Sequence, residues 1–108
     1  MRALLLSALV LTAAPVHAGD VTRIADLVRN TNVTVAGTVS RLTDEDEFVL
    51  ADASGSVRVY VGPNWVPVNP GDAVTVRGFV DSDLRLEIYA REIVRPDGST
   101  VRLEHRYD

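Results

Sequence analysis

The sequence predicts a mainly-β domain in which five short strands close into a small barrel. Three observations carry that expectation. Five runs alternate apolar and polar residues and are separated by tight turn signals. One connection, the third, is long and rich in proline. A glycine, Gly37, sits inside the first run, where a barrel needs a bulge or a sharp bend.

Before the strands, "DVTRIADLVRN" spaces Val21, Ile24, Leu27 and Val28 at helical intervals behind Asp20 and Thr22. That spacing predicts one short amphipathic helix over residues 21–29. The period then changes to two. "NVTVAGTVSRL" puts Val33, Val35, Gly37 and Val39 on one face, "TDED" turns the chain, and "EFVLADA" forms a second strand. After "ASGS" the third strand, "VRVYVG", turns Val57, Val59 and Val61 inward. "PNWVPVNPGD" is the long connection, with Trp65 and Val66 expected as its apolar plug. In the fourth strand Val74, Val76, Gly78 and Val80 face in, and Thr75, Arg77 and Phe79 face out. The fifth, "LRLEIYAREIVR", turns Leu84, Leu86, Ile88 and Ala90 inward and slips phase before Ile93, which predicts a bulge near Arg91. "PDGST" and "VRLEHRYD" read as a hairpin turn and a C-terminal strand extension, with Asp97-Gly98 as the turn signal. Asp52, Ser54, Gly55 and Asp72 read as turn chemistry rather than as a site.

The 108-residue chain holds one domain at most. Residues 1–18, "MRALLLSALVLTAAPVHA", carry a positive start at Arg2, an apolar run, and small residues ahead of Gly19. They read as a cleaved secretory signal, the run being shorter than the roughly 20 residues that span a bilayer. Residues 19–108 are then a single exported domain, periplasmic in a bacterium, with nothing to hold it in a membrane once the signal is removed. Cysteine and lysine are both absent, which excludes disulfides, thiolate chemistry and Schiff-base catalysis. Beyond the signal, ten arginines stand against fifteen acids, a balance of −5 that argues against a general polyanion binder. His105 is the only histidine left, so no histidine cluster or histidine-led triad is available within one chain.

An OB-type barrel is the best match to this pattern: five strands, one short N-terminal helix and a C-terminal extension. The residues that specify it also carry a resemblance. Gly37 and Val39, "DASGSV" at 52–57, Trp65, and Pro70, Asp72, Val74, Val76, Gly78, Val80 and Asp81 in register, followed by "EI" at 87–88 and Ile93, resemble the bacterial OB-fold (BOF) family of small periplasmic stress-tolerance proteins. These are glycines, turn residues and core valines, so the likeness is specific for fold and poor in chemistry. It implies exported, non-enzymatic modules that bind small ligands on the barrel face or in adjacent loops.

The outward positions supply the candidate site. They are Arg58 and Tyr60 on the third strand, Arg77 and Phe79 on the fourth, and Arg85, Tyr89 and Arg91 on the fifth. Because the fifth strand of an OB barrel lies between the third and fourth, Tyr60, Tyr89 and Phe79 are expected close together, interleaved with guanidinium groups. Such a face suits stacking of bases or sugars and hydrogen bonding to anions. The plainer reading is cross-strand packing of aromatics beneath arginine stems. The acidic turns, with Asp44, Glu45 and Asp46 in one and Asp81 and Asp83 in the other, would suit calcium or magnesium if they converged.

The expectation is therefore a periplasmic ligand-binding module with no cofactor and no catalytic residues. Its candidate partners are a small molecule, a cell-envelope glycan or a protein. Alternatives are a single-stranded nucleic-acid-binding OB domain, against which the leader and acidic balance count, and a structural or protein-interaction module without a small ligand.

Overall fold

The computed structural model describes residues 21–63, 65–82 and 85–104. The segment expected as a secretory signal, together with Asp83, Leu84 and His105, lies outside the described residues. Among the described residues six strands form one sheet: β1 (Asn32–Asp44), β2 (Glu47–Asp52), β3 (Gly55–Tyr60), β4 (Ala73–Val80), β5 (Glu87–Val94) and β6 (Thr100–Arg102). Their order is β3-β2-β1-β4-β5-β6, and a parallel pairing of β3 with β5 closes the first five into a barrel. This is the OB topology that the strand pattern predicts, with β6 added on the outer edge of β5.

β1 serves two neighbours because it is long and bends. Its first half pairs with β4, from Asn32 opposite Phe79 to Thr38 opposite Ala73. Its second half pairs with β2, with register shifts between Val39 and Arg41 and between Leu42 and Asp44. Gly37 stands at the changeover. A Cβ there would clash with the Ala51 carbonyl oxygen and come within 3.1 Å of its carbon, so the bend requires glycine for close approach. The phase slip in β5 is also a bulge. Arg77 pairs with Glu92 and Gly78 with Ala90, leaving Arg91 as the extra residue.

The inward alternation holds through the barrel. Val35, Val39, Phe48, Leu50, Val57, Val59, Val61, Val74, Val76, Val80, Ile88, Ala90 and Ile93 are buried, and no polar or charged side chain is buried with them among the described residues. Leu103 is buried too, its N–H donating to the Arg91 carbonyl at 2.9 Å, so β6 ends by packing a side chain onto the core.

Two expectations are corrected. The segment expected as a helix holds only a 3-10 turn, Ile24–Asp26. Non-local partners capture its N–H groups: Ile24 N–H donates to Asp52 Oδ2 and Ala25 N–H to Ser54 Oγ, each at 2.9 Å. Val21 meanwhile bridges to Thr34 on β1. Ile24 plugs the barrel through this turn, while Val28 is left 60% exposed. The plug of the long connection is also different. Trp65 is 80% exposed, and Val68, with Val66 beside it, packs on the core instead.

Asp52 and Ser54 do act as turn residues. Asp52 Oδ1 accepts from Ser54 N–H at 2.7 Å and Gly55 N–H at 3.1 Å while Oδ2 holds Ile24. These bonds hold the Asp52 carboxyl below its ordinary range, the Ser54 side-chain bond contributing most. Asp52→Ala should therefore lower stability by about 1 kcal/mol. Native-state hydrogen exchange should show faster exchange at Ile24 and Ala25, whereas unchanged rates there would contradict the stapling role. Asp72 and Asp97 behave likewise, accepting from Asn69 N–H and Ser99 N–H at 2.9 Å. No helix among the described residues is long and apolar enough to cross a membrane.

Candidate ligand-binding face

Strand alternation decides which side chains reach the outer face, and the closing pairs decide which of them meet. The parallel β3–β5 pairing sets Tyr60 opposite Tyr89. The antiparallel β4–β5 pairing sets Tyr89 opposite Phe79, and β1 sets Asn32 opposite Phe79. The three aromatics thus form one row across three strands. The Tyr60 and Tyr89 rings lie 5.2 Å apart, tilted by 58°, which is within the range of favourable aromatic pairs. All three are half-buried, each keeping part of its side chain toward solvent.

The arginines divide to either side of this row. On one side Arg58 pairs with Glu87 in register and bonds Glu47 Oε1 at 3.0 Å. Arg85 is exposed and lines a recess of about 320 Å³ with Arg41, Ser56 and Arg58, among others, at one end of the face. On the other side Arg77 bonds Glu92 at 3.3 Å and the bulged Arg91 is exposed. Between Arg77 and Arg91 an open cleft of about 530 Å³ is lined by Thr22, Asn32, Val33, Thr34 and Gly78. The structure therefore brings Tyr60, Phe79 and Tyr89 together with Arg58 and Arg77 on their flanks, and sets Arg85 apart.

A carboxyl pair escaped the sequence reading. Glu47 precedes Val49 by two and Glu87 alternates with Ile88, so both point outward on strands that flank β3. There they share a hydrogen bond. Burial first, then that bond and the charges of Glu47 and Asp81, push the Glu87 carboxyl up to about 8. Glu47 moves the other way. The bond from Glu87 holds it below its ordinary range, helped by Thr43 Oγ1 at 2.9 Å and by Arg58. Both shifts favour a proton held between the two carboxyls, with the charge on the Glu47 side. Strand order 2-3-5 together with outward alternation was the signal that would have found them.

Among the described residues the acidic turns engage their own backbone and do not converge on one point. Asp44 Oδ1 accepts from Glu45 N–H and Asp81 Oδ1 from Ser82 N–H, both at 2.8 Å, so these carboxylates close their own turns. The Asp46 carbonyl accepts from Val61 N–H at 2.9 Å. The described residues hold no group of three or more acids or histidines placed to bind a metal, and Asp83 lies outside them.

The comparison with curated proteins finds no match. Among solved structures the chain is similar to the hypothetical protein ygiW from E. coli, at 33% identity and a TM-score of 0.61, over 72% of this chain and 91% of that one. A family model described as bacterial OB fold (BOF) protein matches residues 13–94, which ends with β5 and leaves β6 beyond it. With that match covering all five barrel strands, the chain belongs to the bacterial OB-fold (BOF) family.

Proposed function

We propose that the protein is an exported, periplasmic ligand-binding module of the stress-tolerance type, taking a small molecule, an envelope glycan or a protein on its aromatic and arginine face. The observation that carries this reading is the row Tyr60–Tyr89–Phe79, aligned across three strands and still open to solvent. Flat rings in line offer stacking area at low entropic cost, with guanidinium groups alongside for hydrogen bonding. Export rests on the leader pattern of residues 1–18.

The same face argues against a single-stranded nucleic acid. Such a ligand needs an unbroken cationic track beside the stacked bases. Here Glu47, Glu87 and Asp81 stand together between Arg58 and the outer end of β4. The reading is also non-enzymatic. Glycosidase carboxyls stand apart to admit a sugar and water, whereas Glu47 and Glu87 are hydrogen-bonded to each other.

Amide shift mapping tests the proposal, using cell-wall glycan fragments and, separately, a short single-stranded oligonucleotide. Shifts confined to Tyr60, Arg77, Phe79 and Tyr89 on adding glycan are expected. Tyr89→Ala, which removes the middle of the row, should weaken that binding about tenfold. Shifts with the oligonucleotide alone would move the function to nucleic acid, and none with either would make the row a packing feature.

A further inference from the structure

Five polar side chains line the cleft beside the aromatic row: Thr22, Asn32, Thr34, Arg77 and Arg91. Every one of them is a hydrogen-bond donor, and among the described residues no carboxylate lines the cleft, in a chain whose net charge is −4. The bulge in β5 is the cause. Regular pairing would set one residue opposite Arg77, but here Arg91 and Glu92 both fall there, which brings a second guanidinium to the outer face. Glu92 cannot neutralise the group. Its carboxylate is divided between Arg77 at 3.3 Å and Arg102 at 3.6 Å, so two guanidiniums share one acid. Arg91 makes no ion pair among the described residues.

From this placement we infer that the cleft is a subsite for a compact oxyanion, a carboxylate or phosphate carried by the ligand whose flat part lies on the Tyr89–Phe79 row. The inference rests on the ligand-binding reading above and gives that ligand a charge. A planar guanidinium suits two-point contact with such oxygens, and the threonine and asparagine groups supply the remaining donors. Phe79 adjoins both Asn32 and Tyr89 in register, so the cleft and the row are continuous. A volume of about 530 Å³ accommodates a ring and its anionic substituent together.

The test uses inorganic phosphate, phenyl phosphate, benzoate and benzyl alcohol, followed by backbone amide and arginine Nε–H shifts. Phosphate should shift Thr34, Gly78 and the Arg77 and Arg91 side chains, and phenyl phosphate and benzoate should shift these and the aromatic row together. Stronger binding of phenyl phosphate than of benzoate would mark a phosphate source, and the reverse a carboxylate source. Arg91→Gln is the informative variant, because Arg77→Gln would also strip Glu92 of a partner. It should weaken phosphate binding about tenfold without changing the melting temperature, while Arg41→Gln leaves binding intact. Phosphate shifts spread over all exposed arginines and unchanged in Arg91→Gln would overturn the inference, as would no shift at all. Benzyl alcohol shifts on the row combined with that negative result would leave the aromatic-face reading standing. Phosphate bound in the cleft while no ring compound reaches the row would remove that reading and keep the anion subsite.

Discussion

Replacing Gly78 with alanine should destabilise the protein by about 3 kcal/mol, a large share of the stability of a small domain. Gly78 sits in the middle of β4, paired with Ala90 just before the bulge. A Cβ there would collide with the Tyr89 carbonyl oxygen and lie 2.9 Å from its carbon and 3.0 Å from the Ala90 Cα. All three obstacles are backbone, so no rotamer change relieves them. The strands must separate, and the separation would pull Phe79 from Tyr89 and widen the cleft. Gly55→Ala is the matched control. Its added methyl meets only an Ile24 side-chain atom at 3.8 Å, an ordinary contact, and removes unfolded-state freedom. Urea midpoints should therefore fall sharply for Gly78→Ala and hold or rise slightly for Gly55→Ala. Equal midpoints would show that β4 and β5 are not pressed together here.

The barrel was legible because its signals are local. Period-two alternation marks Val74, Val76 and Val80 as inward regardless of partner, and the slip between Ala90 and Ile93 announces the bulge within a single strand. The aromatic row needed one topological step, the place of the fifth strand between the third and fourth. What escaped depends on groups distant in sequence. Val21, Ile24, Leu27 and Val28 are spaced for a helix, yet Asp52 and Ser54, nearly thirty residues on, take the N–H groups that a helix would use. Trp65 is the most apolar-looking residue of its loop, but Val68 fills the available space and leaves the indole outside. The Arg77–Arg91 cleft and the Glu47–Glu87 pair are products of register. Composition showed an acidic chain, and only the pairing shows where its arginines gather.

The Glu47–Glu87 pair should make stability fall as pH rises from about 5 to 9, opposite to the trend of most carboxylates. Glu87 holds its proton up to about 8 in the fold, against an ordinary value of 4.5. The folded state therefore binds more protons than the unfolded chain between those limits. Its contribution is complete below the unfolded value and is lost as pH climbs through the folded one. The pair is only partly buried, so solvent screening reduces the effect to roughly 2 kcal/mol, which is several degrees of melting temperature in a domain of this size. Glu87→Gln separates this effect from every other titration. The amide still donates to Glu47, cannot ionise, and fits the same space, so at pH 5 the variant should melt with the parent protein and at pH 9 above it. Asp52 and Asp97, both held below their ordinary range mainly by bonds from Ser54 and Ser99, contribute in the other direction and lose their stabilisation only in acid. They leave the alkaline limb to Glu87. Parallel melting profiles for parent and variant across this range would mean that the two carboxyls do not share a proton. A profile that converges at pH 5 and separates by pH 9 would place a proton-sensitive bond against Arg58 and Tyr60, so the flank of the aromatic row would change charge near pH 8.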